Sequence, residues 1–230
     1  MPSKQKTLLF FAGFVSSIGS FVVICTCLAT QEWVSSGVQY MGKNYSGLAL
    51  VDLGLFDTSC TKTITVGSGI GSPKKERKVL DILKDNSSTK ILHILIILLL
   101  VVGLISAFLG SATTCLNTLS NPYLTFLGPL GVYVWTSING IAILLAIILF
   151  TVNIEANKLP KEIALILEDY TDVYGSAKNT YRYSFWLLLL SLFLNIGTIA
   201  IIFYYQHARY SQQIKKERPM ETASRDVILF

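Results

Sequence analysis

The chain has 230 residues, of which 52% are hydrophobic and only 14% charged, with a net charge of +5 and a mean hydropathy of +0.55. That is more apolar surface than a water-soluble domain of this length needs, so the composition sets aside an ordinary soluble enzyme and points to lipid.

Four windows, Leu8 to Ala29, Ile91 to Ala112, Val132 to Val152 and Phe185 to Gln206, contain no Asp, Glu, Lys or Arg. Each reaches the ~20 residues that cross a hydrocarbon core as helix. The runs are continuously apolar, without the period-two alternation of barrel strands, so they read as helices that satisfy their own backbone in lipid. The expected fold is an all-α membrane protein, a four-transmembrane-helix bundle. Its spans are 8–29, 91–112, 132–152 and 185–206, joined by loops 30–90, 113–131 and 153–184, with tails 1–7 and 207–230.

The first window, preceded by Lys4 and Lys6, could be a signal peptide cut near Ala29, but signal apolar regions run ~7 to 15 residues, so a retained helix is expected. It carries Ala12, Ser16 and Ser20 at four-residue spacing, small residues that let helices approach closely. The loop after it holds two sequons, at Asn44 and Asn86, and glycosylation there requires an extracellular or lumenal loop. Both termini are then cytoplasmic. The tails agree, with seven basic residues against three acidic ones, whereas loop 30–90 carries eight basic residues, many in "PKKERK". That loop is long enough to translocate regardless of charge. "GSGIGS" (67–72) lacks the strand-to-helix setting of a phosphate loop and reads as linker.

The second window repeats the small-residue spacing in Gly103, Ala107 and Ser111, and includes His93, read as an interfacial histidine. Cys115, beyond its end, is a candidate palmitoylation site or an inert thiol. The uncharged "NTLSNPYLTFLGPLG" (117–131) is expected in the headgroup region. Asn139 in the third window and Asn195 in the fourth should face the bundle and hydrogen-bond there. Trp33, Tyr133, Trp135, Tyr181, Tyr183 and Trp186, at span ends, fit an interfacial aromatic belt. In the third loop, Pro160 could open a short helix with Ile163, Ile166, Leu167 and Tyr170 on its apolar face, a small outer cap.

No ionisable residue lies deep in the four windows, which disfavours a charged ion pathway. No metal spacing, phosphate loop or catalytic cluster is present, so no enzymatic activity, cofactor or nucleic-acid partner is expected. The basic "HARYSQQIKKERP" after the fourth window suits anionic lipid or a stop signal. The chain ends in Ile228, Leu229 and Phe230, a pattern suited to strand addition in a PDZ groove of a scaffold or cytoskeletal adaptor.

"GLF" (54–56), "NPYLTFLGPLGVYVW" (121–135), "YSFWL" (183–187) and the terminal "RDVILF" resemble the clarin family, over nearly the whole chain. More distantly, Trp33, Gly54, Leu55, Phe56 and Cys60 resemble the first-loop pattern of claudins and peripheral myelin proteins, with Phe56 in place of a tryptophan and the second cysteine missing. The resemblance implies a small extracellular sheet in loop one, lacking its disulfide. It also implies a role in organising membrane partners at the plasma membrane, in family members associated with sensory cells and actin. Expected partners are lipids, other membrane proteins, an adaptor and a second copy of the chain. The alternative is claudin-like adhesion or a paracellular barrier. Cys115 lies across the membrane, too far for a bridge to Cys60, whereas Cys25 and Cys27 lie near the outer end of the first window, within reach only if loop one folds down onto Cys27. Cys60 is therefore expected as an exposed thiol outside any intrachain disulfide, or one linked to a partner, in a loop of low rigidity.

Overall fold

Continuous apolar sequence without internal charge makes long helices. The computed structural model, which describes residues 3–42, 46–64, 73–83, 87–119, 128–167 and 173–227, contains α1 (Ser3–Ala29), α3 (Ser87–Leu119), α4 (Pro129–Glu155) and α6 (Tyr183–Val227). Their spans Lys4–Ala29, Ser88–Leu119, Pro129–Glu155 and Tyr183–Ser211 are long and apolar enough to cross a membrane. Between 28% and 39% of the most apolar window of each is buried by protein. The apolar remainder needs lipid around it. The other elements are β1 (Val34–Met41), β2 (Ser46–Leu53), β3 (Asp57–Ile64), β4 (Lys75–Lys78), α2 (Val79–Ile82), α5 (Leu159–Leu167) and β5 (Val173–Tyr181).

The chain divides into two compact units. One comprises 1–21, 105–140 and 193–230, helical where described except for the bend at Gly128. Its apolar core gathers Phe10, Val132, Ile202 and Tyr205, with the Phe10 and Tyr205 rings edge to face at 4.9 Å. The buried stripe of α1 here is Phe10, Gly13, Ser17 and Ser20, spaced by three, four and three. Ala12, expected in the packing face, is exposed. Four-residue steps drift ~40° each around a 3.6-residue helix, so Ala12 and Ser20 cannot share one narrow seam. Ser16 is half-buried and donates to the Leu194 carbonyl at 2.8 Å. Helix α3 continues to Leu119 through polar sequence, in which Thr113, Thr114, Asn117 and Thr118 satisfy their side chains on carbonyls three or four residues earlier.

The second unit comprises 22–104 and 141–192. It holds a five-stranded sheet in the order β4-β3-β2-β1-β5, with every neighbouring pair antiparallel. Strand β1 alternates, with Val34, Ser36, Val38 and Tyr40 buried and Gln39 and Met41 exposed, so one face is committed to the interior. Against the strands packs α5, burying Leu159, Pro160, Ile163, Ala164 and Leu167 at helical spacing. Tyr170 lies outside the described residues. Lys158, just before α5, has φ 53, a left-handed conformation strained for a side chain.

Two features depart from the sequence expectation. The sheet takes its fifth strand from the loop between α4 and α6, with Val34 opposite Tyr181. The backbone after the fourth apolar window stays helical through Val227.

Candidate functional site: the clasp of sheet and helix ends

Four residues after α1, Trp33 is fully buried, not interfacial. Its indole N–H donates to the Cys27 carbonyl at 3.1 Å, and its ring lies 5.0 Å from that of Phe150. A carbonyl at a helix C-terminus has no intrahelical partner, and the indole satisfies it while filling the interior. The Trp33 backbone is held on both sides: its N–H donates to Leu53 and its carbonyl accepts from Arg182. Ser184 adds its N–H to the Glu32 carbonyl, and its hydroxyl pairs with Thr30 at 2.7 Å. The end of α1 is thus sewn to the start of α6.

"GLF" is a turn for which glycine is required by space. The Gly54 N–H donates to the Asp57 carbonyl at 2.9 Å, and a Cβ there would meet the Gln31 Cα at 2.8 Å and the Asp57 carbonyl at 2.9 Å. Both obstacles are backbone or its direct attachment, so neither can swing away. Leu55 is fully buried, while Phe56 is 45% exposed and offers its carbonyl to Val79. His93 is fully buried, with Nε2 2.7 Å from the Leu55 carbonyl, so it ties α3 to the turn. Its Nδ1 has no hydrogen-bond partner among the described residues. The reading of His93 as an interfacial residue therefore gives way to that of a latch.

Arg182, between β5 and α6, reaches Glu32 at 2.6 Å and Asp52 at 3.4 Å. Asp52 also accepts from Ser35 at 2.6 Å. These groups are partly exposed, so geometry rather than energy is their main contribution. At the end of α4, Glu155 accepts from Asn179 and Tyr181, each at 3.1 Å. Partial burial and the Glu155 carboxylate push the Tyr181 phenol up to about 12.

Cys60 is fully buried in β3, opposite Val51 and Lys75, and among the described residues none of the four cysteines is in a disulfide. The thiol lies outside any intrachain disulfide, as expected, but it is buried and not exposed in a loop. Sheet pairing on both flanks buries what the polar local sequence presents as loop.

In the helical unit, Asn139 and Asn195 meet. Asn139 Nδ2 donates to Asn195 Oδ1 at 3.0 Å and to Ser20 Oγ at 3.2 Å, all three residues being buried. Ala107 and Ser111 are also buried there and Cys115 is half-buried, all in α3, whose Gly103, buried as well, falls in the other unit. Asn44, Asn86, Ile228, Leu229 and Phe230 lie outside the described residues. Among the described residues, no three His, Cys, Asp or Glu side chains converge as metal ligands.

His93, Arg182, Glu155 and Ser184 were not singled out as site residues from sequence. The signal available was a lone histidine in an apolar run and an arginine directly before one.

A family model described as Clarin-2-like matches residues 4–202. The chain is 43% identical to Clarin-3 of Homo sapiens and 44% identical to Clarin-3 of Mus musculus, each over the full length of both chains. It is 27% identical to Clarin-1 of Homo sapiens over 85% of this chain and 86% of that one.

Proposed function

The chain belongs to the clarin family, and from that premise we propose that this multi-pass membrane protein is a non-catalytic organiser, gathering membrane partners and linking them to a cytoplasmic scaffold. The observation that carries the reading is the clasp. Trp33, the Gly54 turn, His93 and Arg182 fix a five-stranded sheet to the ends of the apolar helices. A sheet so tied presents a pre-formed surface, and pre-formed surfaces bind without an ordering cost. In this proposal the sheet is extracellular, both termini are cytoplasmic at the plasma membrane, and the sequons are glycosylated, Asn44 in the sequence between β1 and β2 and Asn86 in that between α2 and α3. The terminal Ile228, Leu229 and Phe230 take the adaptor. Sensory cells are the first setting in which to test it.

Proximity labelling from tags on both ends of the chain in intact cells tests topology and partners together. Cytoplasmic scaffold proteins should be labelled from both termini, and their capture should disappear when Leu229 and Phe230 are deleted. Labelling of the terminal tags from outside overturns the orientation, and unchanged capture overturns the adaptor contact. The claudin-like alternative draws on the antiparallel sheet. It requires altered adhesion or electrical resistance when the protein is present on both of two apposed cells.

A further inference from the structure

Where α4 ends, a cavity of about 230 Å³ opens between the start of α5 and the backbone of β5, lined by Glu155, Lys158, Lys161, Gly175, Ser176 and Asn179 among others. Room for one water needs only about 10–15 Å³, so this space takes a polar group of several heavy atoms. Its charges are arranged in two signs. Glu155 is held in place by Asn179 and Tyr181, both bonded to Oε1. The ammonium groups of Lys158 and Lys161 have no ion-pair or hydrogen-bond partner among the described residues, although both line the same cavity.

The position is as informative as the charge. Glu155 is the last residue of the span Pro129–Glu155, whose 27 residues run about 40 Å as helix against a hydrocarbon core of about 30 Å, so a helix end at headgroup level is what length alone predicts. On the same face of α4, at helical spacing from Glu155, run Val152, Ile148, Leu145 and Ile141, 41% to 60% exposed. An apolar stripe thus leads up to a cavity that holds two cations and one fixed carboxylate.

We propose that this cavity binds the headgroup of a zwitterionic phospholipid bearing a primary amine, with the acyl chains along the α4 stripe. The phosphodiester takes the Lys158 and Lys161 ammonium groups, and the amine of phosphatidylethanolamine takes the Glu155 carboxylate. Charge-assisted contacts of both signs select this headgroup over a purely anionic one, which would meet Glu155 unfavourably.

The test is native mass spectrometry of the full chain released from nanodiscs containing phosphatidylethanolamine or phosphatidylglycerol. Retained phosphatidylethanolamine should exceed phosphatidylglycerol, and Lys158→Gln with Lys161→Gln should lower its occupancy by about fivefold per lysine, the effect of one cation near a headgroup. Glu155→Gln should equalise the two lipids. Lys178→Gln, at a different groove on the sheet, should leave retention unchanged and controls for general charge. Equal retention by the double lysine variant, with the variant's melting temperature intact, overturns the proposal. So does full displacement by millimolar glycerophosphoethanolamine, which would make the ligand a free phosphodiester and not a lipid, and so does a preference for phosphatidylglycerol.

Discussion

Replacing Gly54 by alanine should loosen the sheet, and the molecule contains its own reporter. The added Cβ would stand 2.8 Å from the Gln31 Cα and 2.9 Å from the Asp57 carbonyl oxygen. Overpacking costs about 1–3 kcal/mol in general, and here the upper part of that range applies because the obstacles are not flexible side-chain ends. Cys60 is 0% exposed in β3, the strand that begins with Asp57, so a water-soluble maleimide reaches it only when the sheet opens. Under conditions where closing outpaces labelling, the labelling rate follows the open population. A loss of about 2–3 kcal/mol then raises it by roughly 30- to 140-fold, since each 1.4 kcal/mol is tenfold. The assay is time-resolved labelling of the Gly54→Ala and parent proteins in nanodiscs, with the modified peptide assigned by mass spectrometry. A Cys60 rate within twofold of the parent would refute the steric argument, and rapid labelling of the parent would refute the burial on which it rests.

Asn139→Leu and Asn195→Leu should each destabilise the protein by about 1 kcal/mol, and the double variant by clearly less than the sum, because each single change leaves an amide without its partner. A double-mutant cycle measured by reversible unfolding in bicelles should return a favourable coupling; zero coupling contradicts the contact at 3.0 Å. Lys158→Gly removes a side chain from φ 53 and should stabilise by about 1 kcal/mol, read as a melting temperature about 2–4 °C higher. Tyr181, with its phenol raised to about 12, binds its proton more tightly folded than unfolded. Its contribution to stability is fully present below the ordinary phenol value near 10 and is lost as pH climbs from there through about 12. Tyr181→Phe should flatten that alkaline loss in a pH series of melting temperatures.

The four spans were legible because lipid imposes a purely local condition, a long uncharged run, and each window meets it without help from the rest of the chain. The clasp is non-local. Strand β5 has the sequence VYGSAKNTY, in which Tyr174 alone is fully buried, so it carries little alternation of its own and is specified by pairing with β1. Trp33 has the sequence position of a belt residue, and only the arrival of Phe150 and the Cys27 carbonyl makes it interior. "DTSCTK" reads as polar loop until β2 and β4 flank it. The exposure of Ala12 has a simpler cause, a spacing of four applied where the helix needs alternating threes and fours. Asn139 and Asn195 stand out in sequence as lone amides in apolar runs, but that they meet each other is a fact of packing.

Strand β1 also fixes an order of assembly. One of its edges can pair with β2 as soon as residue 53 has been made, but the other waits for β5, whose first residue is Val173. At ordinary synthesis speeds that interval lasts on the order of ten seconds, during which α3 and α4 must also be inserted. Throughout it the nascent chain shows an open strand edge, the feature that chaperones and misassembly both exploit. A transcript ending between α4 and β5 would leave that edge open permanently. Completion of the sheet is therefore a checkpoint on the whole chain: the sheet closes only once the last loop has been delivered.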